Sequence, residues 1–203
     1  MRKIHGALVL GLLVGLAGAA RAAEPFEGEV LLKTTLPYPV TIRYFIKGTK
    51  VLSVWEGEKT PMLFVDLDKL QAFNFLPDKT YTVVALKAPP AGKVAPGSAV
   101  KSGKKKVISG QSCEEWVDKS RYGTMRFWAL PGFSFAVHPW SGSQQGQSMM
   151  DFLRTSDQFP VALISEDESG KVTAATEAIE IKRKKLDAAA VAFPAGYKPA
   201  AKK

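Results

Sequence analysis

The chain has one cysteine in 203 residues, two histidines, and no apolar run long enough to span a bilayer comfortably as a helix. Each scarcity removes a class of protein. A lone Cys113 forms no internal disulfide, and Glu114 and Glu115 beside it disfavour a reactive thiolate, so it reads as a small buried hydrophobe. His138 is the only histidine beyond residue 5, which excludes histidine pairs and histidine-rich zinc sites. No serine stands in a Gly-x-Ser-x-Gly elbow, and nothing local supports a Ser-His-Asp site at His138. Asp66 and Asp68, two apart before a turn, read as caps. The spacing from Gly97 to Gly103-Lys104 fails as a phosphate loop, because one residue too many separates the glycines and Lys105 replaces the hydroxyl that would hold magnesium. The expectation is a protein without catalytic residues, metal or cofactor.

Arg2 and Lys3 precede an uncharged apolar run over residues 6–20, and Ala20-Arg21-Ala22 supplies small residues where a signal peptidase reads them. Residues 1–22 are therefore expected to be a cleaved secretory signal, with no cysteine nearby for lipid attachment. A periplasmic location in a two-membrane bacterium follows. Cleavage would leave 181 of the 203 residues, a length suited to one domain over residues 23–203. The 28 basic residues lose Arg2, Lys3 and Arg21, leaving 25 against 19 acidic, a mild +6. Nucleic-acid binding would need that excess concentrated on one face with stacking aromatics, and is not expected.

What the chain does have is alternation. Residues 107–130, VISGQSCEEWVDKSRYGTMRFWAL, hold two of the four tryptophans and two β-rich runs around Ser120-Arg121-Tyr122-Gly123, a hairpin pattern. If Lys119 faces Thr124, then Glu115, Val117, Arg126 and Trp128 share one face, on which Glu115 and Arg126 could pair. Trp116, Met125 and Phe127 then share the other. A slip of one residue sends Cys113 and Val117 to the side of Met125, Phe127 and Ala129. Further strands are expected over residues 26–35, 40–47, 50–55, 62–66, 71–76, 80–86, 159–166 and 171–182, separated by turns and by Leu36-Pro37-Tyr38-Pro39. Strands that follow one another without crossover helices make an antiparallel meander.

Two segments depart from this rhythm. Residues 87–106, rich in Ala, Pro, Gly, Ser and Lys, read as a mobile loop. Ser143 is placed to cap a helix over residues 144–155, on which Met149, Met150, Phe152 and Leu153 form an apolar stripe. It reads either as a core helix or as a methionine-lined cover over an apolar cavity. The basic run 182–185 reads as a solvated strand end that could also touch acidic lipid headgroups.

The blocks Tyr44-Phe45-Ile46-Lys47-Gly48, Phe64-Val65-Asp66-Leu67-Asp68, Ile108-Ser109-Gly110 with Cys113-Glu114-Glu115-Trp116, Phe159-Pro160, and Leu186-Asp187 with Phe193-Pro194-Ala195-Gly196-Tyr197 occur in an order that resembles the lipoprotein-carrier superfamily, the LolA/LolB-like half-barrels. More narrowly, the chain is similar to exported bacterial domains of unknown function within or near that superfamily. It departs from the carriers in starting its sheet directly at Phe26, with no leading amphipathic helix.

The resemblance implies a mainly β (α+β) fold: a strongly curved antiparallel sheet, a half-barrel, covered by one or a few helices and able to hold acyl chains. On that basis Met149, Met150, Phe152 and Leu153 are candidate ligand contacts, facing Phe73, Phe75 and Trp128 across the concave side. The expected function is a soluble periplasmic binding or carrier protein for an apolar small molecule, lipid or lipoprotein. The alternative is a structural or partner-binding envelope protein with a filled core. A monomer is expected.

Overall fold

The structure, a computed structural model, describes residues 26–57, 60–86, 99–120, 123–131 and 158–201. Among these residues there are twelve strands, most of them where apolar and polar residues alternate: β1 (Gly28–Leu36), β2 (Val40–Lys47), β3 (Lys50–Trp55), β4 (Pro61–Asp66), β5 (Gln71–Phe75), β6 (Thr80–Ala85), β7 (Val100–Ile108), β8 (Gln111–Ser120), β9 (Gly123–Pro131), β10 (Gln158–Glu166), β11 (Val172–Arg183) and β12 (Lys198–Pro199). They form one sheet in the order β12-β6-β5-β4-β3-β2-β1-β11-β10-β9-β8-β7. Every neighbouring pair is antiparallel except β12 with β6. The fold is thus mainly β, as expected from the alternation.

The central pair, β1 with β11, joins a meander of β1 to β6 to a second group, β7 to β11. In β2 the alternation is regular: Ile42, Tyr44 and Ile46 are buried, with Arg43 and Phe45 on the other face. Cross-strand register extends the buried row through Val30, Tyr44 and Ser53 to Leu63, and through Ile46, Val51 and Val65 to Ala72. This row shares one hydrophobic cluster with Ile108, Cys113, Trp128, Leu130, Phe159 and Val161 of the second group. Tyr44 and Phe159 meet edge to face at 6.2 Å, so the inner faces of the two groups pack on each other.

The second group also curls on itself. β7 stands four places from β11 in the sheet, yet Lys106 bonds Glu177 at 2.5 Å and Ser109 Oγ donates to the Ala178 carbonyl at 2.9 Å. β10 is buried without interruption from Phe159 to Leu163. Its bulge lies between Pro160 and Ala162, where a proline that cannot complete a ladder fits. Alternate residues of β9 serve two clusters, Trp128 and Leu130 the main one and Met125, Phe127 and Ala129 a smaller one with Leu163.

The hairpin of β8 and β9 has the register in which Lys119 faces Thr124. Gly123, at φ +127°, begins β9 because any Cβ there would lie 2.0 Å from the Glu166 carbonyl oxygen. Glu115 and Arg126 do not pair, however. Glu115 accepts from Ser102, and the nearest carboxylate to Arg126 is Glu166 at 3.9 Å, since register sets Arg126 opposite Ile164 and beside the end of β10.

One expectation is corrected. Residues 100–106, taken with 87–99 as a loop, belong to β7; residues 87–98 lie outside the described residues. Their low hydrophobicity reflects an exposed edge strand, paired only with β8 and carrying Lys101, Lys104, Lys105 and Lys106. Ser109 and Gly110, both at positive φ between the paired Ile108 and Gln111, close β7 onto β8 in a type I′ turn. Among the described residues the only helical element is a 3-10 turn at Ala188–Val191, and the helix expected at 144–155 lies outside them.

Candidate functional site

Beyond β11 the chain becomes a strap. Lys184 N–H donates to the Glu27 carbonyl at 3.1 Å, and the Glu27 carboxylate accepts from the Leu186 N–H and from Lys47 Nζ, each at 2.7 Å. Lys47 Nζ also donates to the Leu186 carbonyl at 2.7 Å. The Lys47 ammonium and the Leu186 amide hold the Glu27 carboxyl below its ordinary value. Asp187 caps the 3-10 turn through the Ala189 N–H at 3.0 Å. The chain then reaches Phe193 and Tyr197 and ends as β12 on the edge of β6.

Phe193 stands among Phe64, Phe73, Phe75 and Tyr81, with ring centroids 5.1–5.7 Å away, and Tyr197 meets Phe75 at 4.7 Å. These rings are on the face opposite the Val65 and Ala72 row, because Phe64 pairs with Phe73 in register. Phe73 and Phe75 therefore share one aromatic box, which the chain's own Phe193 fills. Trp128 is elsewhere, in the main core under the Lys106 ammonium at 5.4 Å. Met149, Met150, Phe152 and Leu153 lie outside the described residues. The structure thus joins Phe73 to Phe75 and separates both from Trp128.

The same outer face carries the densest charge network. Arg43 grips Glu56 with two bonds, Nε at 2.8 Å and Nη2 at 2.5 Å, and its Nη1 reaches Glu180 at 3.1 Å and Glu29 at 3.2 Å. Glu56 first, and Glu180 after it, hold the guanidinium protonated beyond its usual range. Lys182 and Lys184 add ion pairs to Glu180 and Glu29 at 2.6 and 2.7 Å.

Beside this network opens a groove of about 600 Å³ lined by Leu31, Pro39, Val40, Trp55, Ile179 and the polar Lys33, Thr41, Glu56 and Gly57. Ile179 is 53 % exposed. Its position follows from a bulge: Leu31 faces Glu180 and Leu32 faces Ala178, so Ile179 is the extra residue. Sequence reasoning missed this groove. Strict alternation buries Ile179 beside Ile181 and exposes Glu180, and only the bulge, a property of the β1 pairing, turns Ile179 outward. The available signal was Glu177 and Glu180, three apart in one strand, a spacing that regular alternation cannot keep on one face.

Cys113 is fully buried and its thiol is pushed up to about 11, chiefly by desolvation. Tyr44 is fully buried with no hydrogen-bond partner for its hydroxyl among the described residues, and burial pushes that phenol above its usual value. Among the described residues no three of His, Cys, Asp and Glu gather closely enough to hold a metal ion.

A family model described as "Domain of unknown function (DUF4412)" matches residues 26–197. No curated protein matches this chain. Among solved structures, an uncharacterized conserved protein from Thermus thermophilus is similar at 13% identity and a TM-score of 0.55, over 85% of this chain and 88% of that one. At that identity the likeness concerns the fold alone.

Proposed function

We propose, for a chain that belongs to the DUF4412 family, a non-catalytic role as a soluble periplasmic protein that binds or carries an apolar ligand such as a lipid or acyl chain. The open groove beside Arg43 carries this reading. It has the volume of a small-molecule site, and its apolar wall of Leu31, Val40, Trp55 and Ile179 borders open solvent, where such surface is unfavourable unless something covers it. The resemblance to the lipoprotein carriers supports the same ligand class, and Val40 and Trp55 of this wall pack against the main core. A fluorescent long-chain fatty acid should bind saturably to the purified protein. Ile179→Asp should weaken that binding at least tenfold while leaving the fold intact, because Ile179 already borders water. A parent protein that shows no saturable uptake would end this reading. N-terminal sequencing of protein from its own host tests the location, with Ala23 expected as the first residue.

The second reading, a structural or partner-binding envelope protein, draws support from Phe193. Where a carrier could hold a ligand against Phe73 and Phe75, this chain lodges its own side chain. Native mass spectrometry of protein purified from the periplasm separates the two: bound lipid favours the carrier and an empty chain the structural role.

A further inference from the structure

We infer that the groove selects an anionic amphiphile, a long-chain fatty acid whose carboxylate is held by Lys33. The inference rests on the binding role proposed above and adds the ligand's charge and the residue that reads it.

Among the described residues, the carboxylates in or beside the groove, Glu56, Glu180 and Glu177, are already engaged. Glu56 lines it but is gripped by Arg43 through two short bonds. Glu180, opposite Leu31, is shared by Arg43 and Lys182. Glu177, directly opposite Lys33 across β1 and β11, is the nearest carboxylate by register, yet it bonds Lys106 at 2.5 Å. Lys33 is left exposed on the groove wall with no ion pair or hydrogen bond among the described residues. A cation without a partner beside an apolar wall matches a ligand with an apolar chain and one anionic end. The wall itself orders the two ends. Leu31 precedes Lys33 by two residues on the same strand face, and Ile179 stands next to Leu31 at the bulge, so the chain lies over Leu31 and Ile179 while the head reaches Lys33. A cationic amphiphile finds no free carboxylate among the described residues there, because displacing Arg43 from Glu56 would break a bidentate pair.

The test compares a long-chain fatty acid with its methyl ester, which keeps the chain and removes the charge. Displacement of a neutral fluorescent apolar probe, read by fluorescence, reports both. The acid should bind about threefold to fivefold more tightly than the ester, as expected for one solvent-screened ion pair. The preference should shrink as salt is raised. Lys33→Met, which keeps an unbranched apolar stem, should equalise the two ligands, and Lys33→Arg should keep the preference. Circular dichroism confirms that both variants fold. Equal binding of acid and ester by the parent protein, or a preference that survives Lys33→Met, would overturn the role of Lys33 and leave the binding role standing. Binding of neither ligand nor probe would overturn both.

Discussion

Cys113 shows how much one residue's surroundings decide. Its sulfur is sealed in the main cluster and its thiol is pushed up to about 11, so at neutral pH it is protonated and unreachable. Alkylation of the native protein at pH 7.5 should proceed no faster than global opening, and denaturant should release it. Cys113→Ala should destabilise the protein by about 1 kcal/mol, through lost packing alone, and leave ligand binding unchanged. Rapid labelling of native protein would contradict the burial. At this scale the sequence was readable, since Glu114 and Glu115, directly after it, and a β-rich context already argued against a thiolate. Tyr44 was not readable. Alternation predicted an inward side chain, but that its ring would meet Phe159 depends on the packing of β2 against β10, whose contacting residues are more than 110 positions apart in sequence.

At the scale of the element, strands and turns were legible because their signals are local. Prolines, glycines and alternation mark β2 and β3 at their observed bounds, whereas the β8 and β9 register was open between two pairings, of which the structure has Lys119 opposite Thr124. What escaped depends on distant partners. The lysines of β7 resemble a loop until β8 supplies the ladder, and the groove exists only through the β1 and β11 bulge. The strap was visible as a motif, Phe193 to Tyr197, without its destination. Phe193→Ala should destabilise the protein by about 2 kcal/mol, less than for a fully buried phenylalanine because the ring is 38 % exposed. A loss below 0.5 kcal/mol in urea unfolding would show the aromatic box to be stable without it. The strap's other anchor is pH-dependent. Glu27 has its carboxyl lowered from 4.5 by Lys47 and by the Leu186 amide, so its contribution is complete above pH 4.5 and is lost as pH falls through the lower folded value. The Leu186 amide resonance should titrate with a midpoint below 4.5, and a midpoint at or above that value would contradict the contact.

For the whole molecule, the two ends of the sheet are protected in different ways. β12 covers β6 with two residues, whereas β7 presents a long edge with Val100 and Val107 63 % and 69 % exposed and lysines between them. Of these lysines, Lys101 and Lys106 are engaged with Glu114 and Glu177, which leaves Lys104 and Lys105 as the charges that oppose edge-to-edge pairing. Replacing both with threonine should promote self-association, seen in sedimentation as larger species absent from the parent at equal concentration. An unchanged profile would mean that the edge is guarded by other means. The strap has a further consequence for synthesis. A ribosome delivers β1 to β6 long before residues 186–200, so Phe64, Phe73, Phe75 and Tyr81 stay uncovered until Phe193 emerges. The nascent meander therefore keeps an aromatic face open until the strap emerges, and only then is that face closed.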